Sequence, residues 1–234
     1  MPWAVAMSAH PLPGAVVAVV GATGALGSRI ARGAAARGAQ VVLVGRDGDR
    51  LRQVVPGAPV VVGDLSDAAL GERVVAAALD RHGRLDGVVN AAGVVAFGAL
   101  VDTDDAVLEE VFLTNVVGPL WLLRRVAPAL ADSKGFVAQL SAVVAEQPLP
   151  GMAAYAASKA ALTAADRALA RELRRSGIDV LDVRPPHTET GLAGRPLAGT
   201  APRLPTGLDP EDVVRRVLDA IEEGRSELAS TDFA

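Results

Sequence analysis

Tyr155 is the only tyrosine in this 234-residue chain, and Lys159 stands four places after it in Tyr155-Ala-Ala-Ser-Lys159. Of the 23 basic residues only Lys134 and Lys159 are lysines, so the other 21 are arginines. A chain that otherwise writes arginine keeps lysine here, and a compact ammonium does chemistry that a planar guanidinium does not. Residues four apart share one helix face. An ammonium beside a phenol favours the phenolate and draws its pKa down from roughly 10, which makes tyrosine usable as a general acid and base. The plainer reading is a core tyrosine next to a surface lysine.

A second group could hold a phosphate. An apolar run over 15–20 leads directly into Gly21-Ala-Thr23-Gly24-Ala25-Leu26-Gly27. Glycines at such a junction let the backbone turn tightly and approach a pyrophosphate, while the N-terminus of the helix that follows supplies amide donors and a favourable dipole. A purely structural turn in a glycine-rich chain is the alternative. After the next apolar run comes Gly45-Arg46, where an acid would accept the ribose 2′-hydroxyl of NAD. A guanidinium there pairs with a 2′-phosphate instead, so Arg46 favours NADP(H), with NAD(H) still possible beside Asp47. Asp64, in Gly-Asp64-Leu65-Ser66, reads both as a helix cap and as a contact to the adenine end of the same cofactor.

These groups need a scaffold, and the pattern names it. β-branched runs at 15–20, 40–45, 59–62, 86–91, 135–141, 178–183 and about 226–229 alternate with helical stretches. The helices are expected at 25–37, 47–53, 66–82, 104–131, 152–176 and 210–223. Such alternation is the signature of βαβ units in an α/β fold, and run-like strands signal burial on both faces. A Rossmann-like doubly wound parallel sheet in one domain, residues 15–234, follows, with ligands beyond the carboxyl ends of the strands. The segment 185–209, rich in Gly, Pro and Thr, is expected to be a substrate lid over an apolar pocket, from Leu192, Leu197 and Leu204.

Composition removes other classes. Half the residues are hydrophobic, which provides a large core, and the absence of cysteine excludes disulfides, thiolate metal sites and a cysteine nucleophile. A net charge of −4 argues against a nucleic-acid partner. Residues 1–14 carry no charge, but Pro11, Pro13 and Gly14 interrupt the apolar run, so neither a signal peptide nor a membrane span is expected. They read as a loose lead on a cytoplasmic protein.

Together the motifs resemble the short-chain dehydrogenase/reductase family over residues 15–223. The marks are the glycine turn, Asp64, Asn90-Ala91-Ala-Gly93, Asn115, Tyr155-x-x-x-Lys159, and Pro185 followed five places later by Thr190. Asn90 and Asn115 are the only asparagines in the chain. The resemblance implies that Tyr155 exchanges a proton with the substrate oxygen, that Lys159 holds the nicotinamide ribose and tunes Tyr155, and that Asn115 anchors a water. It implies that Asn90 steadies the strand end and that Thr190 meets the nicotinamide carboxamide. Ala91, Leu65 and Thr188 join the implied cofactor contacts. A homodimer or homotetramer is implied through helices 104–131 and 152–176.

Three departures qualify this. The spacing G-x-x-G-x-x-G is that of the family's longer-chain branch, yet the chain is too short for that branch's extra domain. Pro185-Pro186 replaces the usual Pro-Gly, with His187 after it. The carbonyl-orienting serine is expected thirteen places before Tyr155, and that position is Ala142, with Ser141 one place earlier. Either the following loop carries one extra residue and Ser141 turns inward to serve, which the presence of Asn115, Tyr155 and Lys159 together favours, or the site lacks its serine. The expected function is NADP-dependent interconversion of a small carbonyl and an alcohol by hydride transfer. The alternative is a cofactor-binding sensor or scaffold with reduced catalysis.

Overall fold

A computed structural model describes residues 7–233. Seven parallel strands form one sheet in the order β3-β2-β1-β4-β5-β6-β7. They are β1 Val16–Val20, β2 Gln40–Gly45, β3 Val60–Val62, β4 Gly87–Asn90, β5 Phe136–Leu140, β6 Asp179–Val183 and β7 Glu227–Leu228. The helices are α1 Ala25–Ala36, α2 Gly48–Arg52, α3 Leu70–His82, α4 Asp105–Phe112, α5 Gly118–Ser133, α6 Ala153–Glu172 and α7 Pro210–Glu223. The chain winds outward from β1 in one direction and from β4 in the other. The crevice between β1 and β4, where that direction reverses, is where such sheets take ligands.

Two apolar layers enclose the sheet. On one face, Val17, Val19, Leu43 and Leu181 pack with Ile30 of α1 and Val213, Val217 and Ile221 of α7. On the other, Val16, Ala18, Val42 and Val88 pack with Val74 of α3 and Leu122, Val126 and Leu130 of α5. Strands covered twice read as unbroken Val-rich runs, which is why their extents follow the sequence pattern so closely. Helix α7 has its boundary signals in sequence: the Asp209 side chain accepts from the Glu211 amide at 2.9 Å, Pro210 opens the helix, and Gly224 closes it at φ 72°. The run Asp105–Ser133 is long and apolar enough to cross a membrane by length and composition, and a third of its most apolar window is buried in this fold.

Three elements differ from expectation. Helix α3 starts at Leu70 rather than 66, because Asp64 and Asp67 accept from the Ser66 and Ala69 amides at 2.9 Å and turn the chain before the helix begins. The stretch expected as one helix over 104–131 carries a π turn at Leu113–Val117 between α4 and α5. The lead is partly docked: Leu12 is buried, the Ser8 amide and His10 both bond Asp179, and the His10 amide donates to the Ile221 carbonyl. Residues 1–6 of the expected lead lie outside the described residues.

Phe136 is the largest fully buried side chain, and it stands opposite Gly87 in the β4–β5 register. A Cβ on Gly87 would lie 2.3 Å from its ring, so the aromatic occupies space the glycine leaves. Phe136→Ala should therefore lower unfolding free energy by about 3–5 kcal/mol, read as a fall in the urea midpoint at unchanged slope.

Candidate active site

The glycine turn is built by close approach. Gly21 has φ 77°, and a Cβ there would lie 2.8 Å from the Ala92 amide nitrogen. A Cβ on Gly27 would lie 2.2 Å from the Gly21 carbonyl, so the first turn of α1 is seated directly on the loop. Gly24 caps α1 with no side-chain acceptor and no acid follows in the first turn, which leaves the amides around Ala25 and Leu26 and the dipole positive end without a side-chain anion. This cradle fits a pyrophosphate. The Thr23 carbonyl accepts from Arg50 at 3.0 Å, which pins the turn to α2.

Around the cradle stand the other expected cofactor residues. Arg46 directly follows β2 with its side chain 78% exposed, and its Nη1 lies 3.7 Å from Asp64 Oδ2. Leu65 is buried against Gly118 at the start of α5. Asn90 donates to Gln139 at 2.8 Å and accepts from the Ala92 amide at 3.2 Å, and the Ala91 amide bonds the Val20 carbonyl. Across the sheet the Pro185 carbonyl accepts from Val143, and Thr188 donates to the Pro186 carbonyl. Thr190 accepts from the Leu192 amide at 3.3 Å. These groups ring the carboxyl ends of β1, β2, β4 and β6.

Asn115, Tyr155 and Lys159 meet beside this ring. Asn115 sits in the π turn, exchanges two 2.9 Å bonds with the Val94 backbone, and donates to Ser158 at 3.0 Å. Pulling one side chain in two directions is a physical reason for the widened turn. Gly93 lies between the partners: a Cβ there would be 3.2 Å from Asn115 Oδ1 and 3.3 Å from Lys159 Nζ. Lys159 donates to the Leu140 carbonyl at 2.8 Å and lies 6.0 Å from the Tyr155 ring centroid. Burial pushes the Tyr155 phenol up to about 12 and the Lys159 ammonium down to about 8, the latter opposed by the charges of Asp166 and Asp182. The expected lowering of the phenol by its neighbour is thus outweighed by desolvation.

The Ser141 hydroxyl is turned to the backbone of α6 and not to the tyrosine side, contrary to expectation. Its hydroxyl donates to the Lys159 carbonyl at 2.9 Å and accepts from Thr163 at 3.0 Å, behind α6. Ala142, extended at φ −168°, packs instead in the apolar cluster of Tyr155, Val95, Phe97, Val144 and Met152. Successive strand residues point to opposite faces, and no bend reverses that order here. A methyl therefore stands on the tyrosine side.

The lid is anchored: the Leu197 amide donates to Val95 and the Phe97 amide to Ala198, while Leu192, Ala193 and Ala201 reach the Tyr155 cluster. Leu204 lines a cavity of about 750 Å³ with His187 and Glu189, and Leu197 is exposed. Sequence reasoning missed Gln139, Thr163, Asp166, Asp182 and Arg184, all buried near the site apart from the known motifs. Asp182 within β6 and Arg184 just after it, two charges where the strand is buried, were the available signal.

The family model described as short chain dehydrogenase matches residues 15–198. The chain belongs to this family. A zebrafish (Danio rerio) protein, dehydrogenase/reductase SDR family member 7B, is 32% identical over 227 residues, covering 88% of this chain and 74% of that one. A short chain dehydrogenase from Burkholderia cenocepacia in complex with NADP superposes with a TM-score of 0.83 at 26% identity, over 94% of this chain and 89% of that one. A short chain dehydrogenase/reductase from Burkholderia phymatum in complex with NAD gives 0.83 at 25% identity, over 94% and 90%. This short-chain dehydrogenase thus shares its architecture with relatives that hold either dinucleotide.

The contacts of Ser141 make it structural in this short-chain dehydrogenase. Ser141→Ala should cost about 1–3 kcal/mol, because it leaves the buried Lys159 carbonyl without its side-chain donor, and chemical denaturation of the purified variant measures it.

Proposed function

We propose that this chain is an NADP(H)-preferring oxidoreductase that interconverts a small carbonyl compound and its alcohol. The observation that carries the reading is the meeting of Asn115 and Lys159 at Gly93, with Tyr155 beside Lys159 and a glycine cradle with uncapped helix amides next to them. In that reading the α1 amides take the pyrophosphate, Arg46 the 2′-phosphate, Lys159 the nicotinamide ribose, and the Pro185–Thr190 segment the carboxamide. The nicotinamide, when bound, supplies or accepts the hydride. Tyr155 holds its proton at neutral pH, since its phenol lies at about 12, and gives it from Oη to the substrate oxygen during reduction. Lys159, at about 8, is mainly an ammonium at neutral pH and favours the phenolate left behind. Val95, Phe97, Met152 and Leu192 exclude water around the tyrosine. The reading takes the enzyme as a cytoplasmic homodimer or homotetramer with no nucleic-acid or membrane partner; the net charge of −4 supports the nucleic-acid part.

Ala142 favours a second reading. Without a hydroxyl on the tyrosine side, the protein would be a dinucleotide-binding sensor or scaffold with reduced catalysis. NADPH consumption against a panel of ketones, aldehydes and quinones separates the two. Turnover should vanish in Tyr155→Phe while NADPH affinity stays within about twofold, because the phenol acts on the substrate oxygen. Binding without turnover anywhere on the panel would leave the sensor reading standing.

The cofactor preference has its own test. Arg46→Asp should weaken NADPH binding by about tenfold or more and leave NADH less affected, a modest figure because the guanidinium is largely exposed. Titration of both cofactors against both chains measures it, and equal affinities throughout would remove the assignment.

A further inference from the structure

The segment that carries Ala142 to the tyrosine side ends on a carboxylate that the proposed reaction leaves without a role. Val143–Ala145 form one 3₁₀ turn after β5, and Ala142, Val143 and Val144 pack in the apolar cluster of Tyr155. At the start of the turn the Val143 amide donates to the Pro185 carbonyl at 2.9 Å. At its end stands Glu146, beyond which residues 147–151 are exposed. Arg184 directly follows β6 and is 4% exposed, so its guanidinium depends on protein partners rather than water. Its Nη1 lies 2.6 Å from Glu146 Oε1, its Nε lies 3.1 Å from Asp182 Oδ2, and its Nη2 donates to Glu227 of β7. The other Glu146 oxygen accepts from the hydroxyl of buried Ser230. Ser230 opens the last turn, Ser230–Phe233, which is itself fixed: Asp232 accepts from the Ala229 amide at 2.7 Å and pairs with Arg225 at 2.8 Å, and Phe233 is buried in the core.

Both Glu146 oxygens are thus committed, one to a cation beside β6 and one to a hydroxyl 84 positions later. Charge-assisted bonds are short and directional, and a buried guanidinium that loses a carboxylate has no water to replace it. Glu146 therefore holds one place, and the turn before it is fixed at both ends. That matters because of what the turn presents to the tyrosine. A hydroxyl at 142 would orient a carbonyl through a hydrogen bond, whereas the methyl of Ala142 has only its shape to offer. Shape orients a substrate only when the wall is fixed, since a misplacement of about 1 Å is enough to cost about a hundredfold in rate.

We propose that Glu146 is a positioning residue: clamped between Arg184 and Ser230, it fixes the turn Val143–Ala145 as the rigid wall against which the carbonyl substrate is oriented beside Tyr155. Asp182 and Glu227 hold Arg184 in place, so the closing segment from β7 to Phe233 takes part in shaping the site. The consequence for turnover rests on the function proposed above, but the rigidity of the wall does not.

The clamp is read first without turnover. The Val143 amide bonds the Pro185 carbonyl and the Glu146 and Gln147 amides bond the Val143 carbonyl, so hydrogen exchange in peptides spanning 142–147 reports the wall. Glu146→Ala should speed exchange there by about tenfold or more and Ser230→Ala by about threefold, with β1 and α1 unchanged as internal reference. Glu146→Gln should recover most of the protection, because its amide oxygen still accepts from Arg184 and its amide nitrogen donates to the Ser230 hydroxyl. Since Ser230 acts through Glu146, adding Ser230→Ala to Glu146→Ala should change nothing further, whereas independent destabilisations add. Unchanged exchange in Glu146→Ala overturns the proposal, and so does a Ser230→Ala effect that adds in full. If Glu146→Ala does not fold, Ser230→Ala decides alone, and unchanged exchange in it overturns the clamp. On a substrate found in the carbonyl panel, Glu146→Ala should lower kcat by about tenfold while KM and NADPH affinity stay within about threefold, and Glu146→Gln should restore kcat. A kcat that holds while the wall loosens overturns the positioning role. A protein inactive across the panel whose exchange responds as expected would sink the proposed function alone.

Discussion

Lys159 donates its ammonium to the Leu140 carbonyl inside a region closed to water, and that contact links the start of α6 to the carboxyl end of β5. The neighbourhood is arranged around the need to keep a charge there. Gly93 has no side chain, so the β4 loop can pass against both Lys159 and Asn115. Asn115 satisfies the Val94 backbone and Ser158 together, and the helix opens into a π turn where it does so. Tyr155 rides on the turn of α6 preceding the lysine and fills the apolar cluster that separates this polar group from the lid.

The same requirement extends sideways through the sheet. Asn90, Gln139, Asp182 and Glu227 stand opposite one another in the parallel register of β4, β5, β6 and β7. A row of polar side chains across four adjacent strands is costly in a sheet buried on both faces, and it persists because the members bond each other or face α6 and Arg184. Arg184 also joins the segment after β5 to β7 through Glu146 and Glu227. The loop that carries Ala142 toward Tyr155 is therefore held by charges at the far edge of the sheet. Arg184 thus ties the position of that loop to the edge strand.

The cofactor cradle obeys a different rule, in which the missing atoms matter most. Gly21 and Gly27 approach other backbone so closely that any side chain would collide, and the result is a row of amides at the α1 terminus with no side chain competing for them. Arg46, largely exposed and only loosely paired with Asp64, keeps its charge available at the neighbouring strand end.

What the sequence determined was whatever depends on local periodicity and local chemistry. Buried parallel strands are written as β-branched runs, so β2 occupies the expected residues 40–45 and α7 the expected 210–223, the latter marked by Asp209, Pro210 and Gly224. The four-residue spacing of Tyr155 and Lys159 and the glycine turn were likewise legible, because helix geometry and backbone turning are properties of neighbouring residues. The tertiary structure alone decided the rest. Ser141 turns toward Lys159 and Thr163, partners 18 and 22 residues away, which become neighbours only when α6 lies on β5. The docked lead depends on Asp179, about 170 positions later. The dominance of burial over pairing at Tyr155, and the convergence of Thr163, Asp182 and Arg184, also exist only in the packed core. Desolvation and non-local hydrogen bonding are set by what surrounds a side chain in space, and no window of sequence contains that.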